Sequence, residues 1–140
     1  MSAIDWSTEA GQRAERRLRE DRTIWLGTVA ADGTPSIRPV WFVWDGETVL
    51  VYSEPEQAKV RHIEQNPRVL LHFDADAFGE DVVILTGRAR IAREEPPVDQ
   101  VDAYVEKYGW GFERLGMTPA EYARDYSVPI RVTPERLRAY

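Results

Sequence analysis

Arg38 is the first residue whose chemistry needs a home. It stands in Ile37-Arg38-Pro39-Val40-Trp41-Phe42-Val43, a run otherwise apolar. A guanidinium buried there without a partner is costly, so it must reach solvent or hold an anion. Further on, Ser53-Glu54-Pro55-Glu56 has the pattern of a helix start, with Ser53 and Glu56 spaced as a capping box and Pro55 suited to the first turn. Free N–H groups and the dipole at such a start favour a phosphate or a carboxylate. Lys59 and Arg61 follow within two turns. One strand arginine, a capped helix start and two nearby cations make a phosphate cradle. The competing arrangement is an internal ion pair for Arg38, with Lys59 and Arg61 on a solvated helix face.

Other constellations are missing. The chain has no cysteine, which excludes disulfides, Cys-ligated metal sites and a thiol nucleophile. Its two histidines, His62 and His72, fall on different elements without metal-ligand spacing. No Gly-x-Ser-x-Gly, Walker loop or Gly-x-Gly-x-x-Gly fingerprint appears. The acidic stretch Asp74 to Asp81 lacks calcium-loop spacing and is expected to be a solvated connection. Trp25, Trp41, Trp44, Tyr52, Tyr104, Tyr108, Trp110 and Phe112 can wall a flat cofactor, or serve as core and dimer interface.

Periodicity sets the elements that carry these residues. Ser7-Thr8-Glu9 caps an amphipathic helix to Asp21, with Ala10, Ala14 and Leu18 on its inner face and arginines outside. From Thr23 the period becomes two. Strands are expected at Thr23–Ala30, Thr34–Trp44 and Thr48–Ser53, joined by Asp32-Gly33 and Asp45-Gly46 as an antiparallel meander. The short helix from Ser53 ends at Asn66-Pro67, and strands Val69–Asp74 and Val82–Ile91 follow. A helix is expected over Val98–Tyr108, a second capping box at Thr118 to Glu121 opens one to Tyr126, and Val128–Thr133 is a last strand, with Arg136–Tyr140 as a terminal edge. These elements describe an α+β, mainly β protein: a six-stranded antiparallel barrel with peripheral helices, one domain over residues 1–140.

Composition bounds the partners. With 24 acidic against 18 basic side chains the net charge is −6, which gives no general attraction to nucleic acid. No apolar run approaches a membrane span and no signal-peptide pattern opens the chain, so a soluble, cytoplasmic protein is expected. Any anion must then be held by local cations. Of these, 16 are Arg and only two, Lys59 and Lys107, are Lys.

The order of the pieces carries a resemblance. Thr28-Val-Ala-Ala-Asp-Gly-Thr-Pro-Ser-Ile-Arg-Pro-Val-Trp-Phe-Val, then Val51-Tyr-Ser, then Lys59 through Asn66-Pro67-Arg68-Val69 resembles the split-barrel, flavin-binding proteins of the pyridoxamine 5′-phosphate oxidase type. Within them it is most similar to flavin/deazaflavin oxidoreductases that use coenzyme F420, and the tail from Tyr104 to Pro134 shares that likeness. The resemblance implies a homodimer with cofactor at the interface. It implies that Arg38, Pro39, Val40 and Trp41 line the ring edge, with Arg38 helping to hold the phosphate, that Tyr52 and Ser53 contact cofactor, and that Lys59 binds phosphate. Ala58 stands where the oxidases carry a second basic residue, so Arg61 is the expected substitute, and the oxidases' substrate-binding tail is absent. The implied reaction is hydride transfer between deazaflavin and a conjugated acceptor of enone or quinone type, with no protein acid or base and no metal. The alternatives are an FMN-binding reductase of the same fold and a non-catalytic cofactor or tetrapyrrole carrier.

Overall fold

Gly33 and Gly46 adopt φ of 91° and 98°, the left-handed region that a side chain disfavours, and each turns the chain back on itself. The first closes a hairpin of β1 (Ile24–Val29) with β2 (Pro35–Val40), the second a hairpin of β3 (Val43–Trp44) with β4 (Val49–Ser53). The computed structural model describes residues 3–140, so Met1 and Ser2 of the expected 1–140 domain lie outside the described residues. Three further strands, β5 (Arg68–His72), β6 (Val83–Ile91) and β7 (Val128–Ala139), complete one antiparallel sheet in the order β2-β1-β5-β6-β7-β4-β3.

The expected α+β, mainly β architecture is present, with seven strands rather than six. The extra strand comes from Thr34–Trp44, which is not one strand: it breaks after Val40, and its halves occupy opposite edges of the sheet. The expected meander is therefore two separate hairpins. Laid flat, the outer strands of a seven-stranded sheet would lie roughly 28 Å apart. Only Trp41 and Phe42 join the two edge strands, and the three steps from Val40 to Val43 span at most about 10 Å. The sheet must curl until its edges nearly meet, which is what makes it a split barrel.

The barrel interior holds Ile24, Leu26, Phe42, Leu71, Leu85 and Ile130, all almost fully buried. Helix α1 (Glu9–Glu20), capped by Thr8 as expected, adds Ala14 and Leu18, and α2 (Ala58–Gln65) adds Ile63. Strand β4 is buried on both faces. Val49 and Val51 point into the barrel, whereas Leu50 and Tyr52 pack under a second cluster of Val98, Tyr104, Tyr108, Phe112 and Tyr122. These come from a 3₁₀ turn at Val98–Gln100, from α3 (Asp102–Leu115) and from α4 (Pro119–Asp125). The expected helix over Val98–Tyr108 is thus displaced: it starts after the 3₁₀ turn and runs on to Gly116, which ends it at φ 68°. The capping box at Thr118 and Glu121 forms as expected.

Strand β7 corrects another expectation. The expected strand Val128–Thr133 and all but the last residue of the expected edge Arg136–Tyr140 are one strand, paired with both β4 and β6. Thr133-Pro134 has the look of a strand end, but the proline sits at a β-bulge opposite Thr86/Gly87, where no ladder N–H is needed. Gly87 has no room for a side chain, because a Cβ there would run into the Thr133 carbonyl.

The link at Trp41-Phe42 lies outside the ladder, and α3 supplies its hydrogen bonds. The Phe42 N–H donates to the Tyr108 hydroxyl at 2.9 Å, that hydroxyl donates to the Arg22 carbonyl at 2.6 Å, and Lys107 Nζ donates to the Phe42 carbonyl at 3.0 Å. Lys107 also lies 3.8 Å from the centroid of the Phe42 ring, a cation–π contact.

Gly87→Ala is expected to lower stability by about 2–3 kcal/mol, because backbone must move to admit the methyl group, and urea unfolding measures it. Burial pulls the Lys107 ammonium down to about 8 from its ordinary 10.5, against the opposing pull of Asp21. Above pH 8 the unfolded chain then holds more protons at this position than the folded one, so stability rises from about pH 8 towards pH 10. Lys107→Met should flatten that rise in unfolding curves recorded across the same range.

Candidate functional site

Cross-strand register decides where Arg38 points. In the β1–β2 hairpin Thr28 lies opposite Ser36, Leu26 opposite Arg38 and Ile24 opposite Val40, so Ser36 and Arg38 share the face on which Ile24, Leu26 and Thr28 are buried. Strand β2 is an edge strand, and on it Arg38 is exposed rather than sunk in apolar surroundings. Its guanidinium rises beside the first turn of α2, which carries Lys59.

Between these elements and the α3–α4 layer runs a cleft of about 440 Å3. Arg38, Pro39, Val40, Trp41, Tyr52, Ser53 and Lys59 all line it. Arg61 does not: it is on the exposed face of α2, with its guanidinium 3.4 Å from the Glu56 carbonyl. Strand pairing and helix phase therefore bring seven of the expected residues to one place and leave the eighth outside it.

The expected cap is corrected. Ser53 does not start a helix; its hydroxyl donates to the Glu54 carbonyl at 2.9 Å, Pro55 and Glu56 form a turn, and the helix begins at Ala58 after Gln57. Ser53 is the last residue of β4, paired with Val128, and extended pairing holds it out of the helical turn. The consequence favours the cradle. Gln57 makes no side-chain cap, and Lys59 moves into the first turn, ahead of the Val60 N–H, which donates to the Gln57 carbonyl at 3.1 Å; the N–H groups before it are among those that a helix start leaves without intrahelical acceptors.

The cationic end of the cleft is unneutralised. Among the described residues neither Arg38 nor Lys59 is in an ion pair, although eight other arginines are. Burial first, and then the Arg38 charge beside it, holds the Lys59 ammonium below its ordinary range, against a weaker upward pull from Glu54. Two like charges held together make a site that a doubly charged anion stabilises.

The opposite wall is aromatic. Trp41 lies parallel to Tyr108 at 4.5 Å between ring centroids and to Tyr122 at 5.5 Å, and Tyr122 stacks on Tyr126 at 4.1 Å. Gly111 makes the first of these possible, since a Cβ there would occupy the Trp41 ring. Burial, before any other cause, pushes the hydroxyls of Tyr52 and Tyr122 up to about 12, so both are protonated at neutral pH. The Tyr52 hydroxyl is committed to the Pro96 carbonyl at 2.5 Å. Tyr122, Tyr126, Leu115, Glu54 and Gln57 belong to the lining and were not among the expected site residues. The signal for the tyrosines was their spacing of four on a well-capped helix, which puts both rings on one face. Among the described residues no acidic or histidine cluster could hold a metal, and no helix is long and apolar enough to cross a membrane.

Known proteins resemble this chain in sequence and in fold. General stress protein 26 of Bacillus subtilis is 34% identical over 71 residues, covering 49% of this chain and 51% of that protein. The pyridoxine/pyridoxamine 5′-phosphate oxidase of Aeromonas hydrophila is 26% identical over 121 residues, 79% of this chain and 57% of that protein. The chain thus spans about half the length of the curated relatives it matches. Among solved structures, an F420 reductase superposes with TM-score 0.65 at 26% identity over 89% of this chain and 94% of its own. The haem storage protein HutZ of Vibrio cholerae shares the fold, with TM-score 0.65 at 19% identity over 94% of this chain and 95% of its own. The profile of the pyridoxamine 5′-phosphate oxidase family matches residues 10–140, almost the whole chain, and to that family of split-barrel proteins the chain belongs.

Proposed function

We propose that this protein is a coenzyme F420-dependent oxidoreductase that carries a hydride to a conjugated small-molecule acceptor of the enone or quinone type. The observation behind the proposal is the pairing of two unneutralised cations with a flat aromatic wall in one cleft: Arg38 and Lys59 at one end, and Trp41, Tyr122 and Tyr126 along the side. A phosphate-bearing planar ring matches both ends, and a cleft of about 440 Å3 lies within the usual range for small-molecule sites. The F420 reductase, which this chain matches over nearly its whole length, favours a deazaflavin over FMN. Such a cofactor, when bound, supplies the hydride chemistry.

The chain's own residues bind and orient. Arg38 and Lys59 neutralise the phosphate, the N–H groups of the first turn of α2 add to them, and the Pro39-Val40-Trp41 edge limits how the ring can lie. Tyr52 and Tyr122, protonated at neutral pH, present neutral surface to the cleft, whose charged lining residues are Arg38, Lys59 and Glu54. The expectation that Arg61 adds to phosphate binding is not carried into this proposal.

A second copy of the chain completes the assembly in this reading. The face of the sheet opposite the cradle carries an open groove of about 930 Å3 lined by Gly27, Val29, Ile37, Leu70 and Gly87, with Ile37 42% exposed. Small and apolar residues on four adjoining strands suit the sheet of a second protomer.

Titration of the purified protein with coenzyme F420 and with FMN tests the cofactor. Saturable F420 binding is expected, weakened about 10- to 100-fold by Lys59→Ala, the range for losing a charge-assisted contact. FMN binding with no F420 binding would assign the flavin alternative, and tight binding without reduction of any quinone or enone would assign a carrier. For the dimer, Ile37→Asp should halve the mass measured by light scattering while leaving the circular dichroism spectrum unchanged.

A further inference from the structure

Sharing Arg38, Gln57 and Lys59 with the cleft is a small, more enclosed cavity of about 60 Å3, lined also by Thr28 and Ser36. Thr28 is one of only two polar residues buried there or elsewhere among the described residues, at 3% exposure. Its Oγ1 lies 2.8 Å from Nδ1 of His62 on α2. We infer that Thr28 is a third contact for the anion held by Arg38 and Lys59, and that His62 is a positioning residue which sets the direction of the Thr28 hydroxyl. The inference rests on the cradle proposed above.

The argument is one of proton counting. A threonine hydroxyl has one proton to donate. When His62 is neutral with its proton on Nε2, Nδ1 accepts, Thr28 donates to it, and oxygen lone pairs face the cavity. When Nδ1 carries a proton it donates to Thr28 Oγ1, and the hydroxyl proton turns to the cavity, where an anion accepts it. Protonation of the ring fills Nδ1 obligatorily, so it favours the arrangement that serves an anion. Linkage makes the effect reciprocal: an anion in the cradle raises the proton affinity of His62 by the factor by which protonation tightens the anion.

The charges around His62 are few. On its own helix Lys59 and Arg61 flank it, and Glu64 is engaged with Arg93 at 3.6 Å. Helix α2 packs against β1 and β6. The turn after β1 brings the Asp32 carboxyl within the field of His62; its acidity is set first by the Thr34 N–H and least by the imidazole. On β6, Ala89 shares the core with Ile63, so alternation turns Arg88 and Arg90 to the other face, where they meet Glu135 and Glu94. Among the described residues the Thr28 hydroxyl is the hydrogen-bonding group that joins His62 to the cavity.

Sulfate is the probe, because its charge does not change between about pH 5.5 and pH 8. Its affinity, and the NMR titration of the two histidines, are measured across that range for the wild type, Thr28→Val and Thr28→Ser. Sulfate should bind roughly fivefold tighter at the acid end, the worth of one hydrogen bond of modest strength. Saturating sulfate should raise the His62 midpoint by the matching amount, roughly 0.7 pH unit, and leave His72 where it was. Thr28→Val should bind sulfate with no such pH dependence, and Thr28→Ser should restore it. An unmoved His62 midpoint in the wild type overturns the inference even if Thr28→Val fails to fold. Undiminished pH dependence in Thr28→Val also overturns it, since His62 would then act by charge alone. Absence of sulfate binding at every pH overturns the cradle itself, and the role of Thr28 with it.

Discussion

Everything in this fold depends on a link that is too short for a flat sheet. Val40 ends one edge strand and Val43 begins the other, and two residues cannot bridge the width of seven strands. The sheet is bent by its own connectivity. The link itself cannot hydrogen-bond within the ladder, so α3 satisfies it: the Tyr108 hydroxyl takes the Phe42 N–H, and the Lys107 ammonium meets its carbonyl. The same helix then stacks Tyr108 on Trp41. One constraint therefore closes the barrel, fixes α3 against it and sets the aromatic wall of the cleft.

The cradle is a second consequence of that curl. An antiparallel hairpin puts alternate residues on one face, and register with Thr28 and Leu26 places Ser36 and Arg38 toward α2. Pairing of β4 with β7 carries the chain to Ser53 and so fixes where α2 begins. Arg38 and Lys59 face each other because a strand edge and a helix start meet there. A protein with net charge −6 thus keeps two cations together, neither in an ion pair among the described residues, at one end of a cleft walled by aromatic rings.

Much of this was legible in the residue order. Glycines in Asp-Gly pairs located both hairpins, and Thr118 to Glu121 located α4, because turn and cap chemistry are local. What failed depended on distant partners. Thr34–Trp44 has the alternation of a single strand, and nothing within it shows that its halves serve opposite edges. Pro134 has the look of a terminator, since its tolerance depends on a bulge formed with Thr86/Gly87. Ser53 satisfies the capping-box pattern, yet pairing with Val128 holds it in a strand. At the site, Arg38 and Lys59 stood out as charges needing partners. Tyr122 and Tyr126 did not, because stacked rings and core rings have the same spacing on a helix.

The central claim is that Arg38 and Lys59 hold a phosphate while the aromatic wall takes the ring attached to it. Comparing each cofactor with its phosphate-free counterpart addresses this directly: coenzyme F420 against its deazaflavin core, and FMN against riboflavin, by isothermal titration calorimetry. The account predicts that the ring binding to this protein loses at least tenfold in affinity with its phosphate, and that the loss disappears in a variant lacking both cations. Equal affinity for the two forms in the wild type would contradict it.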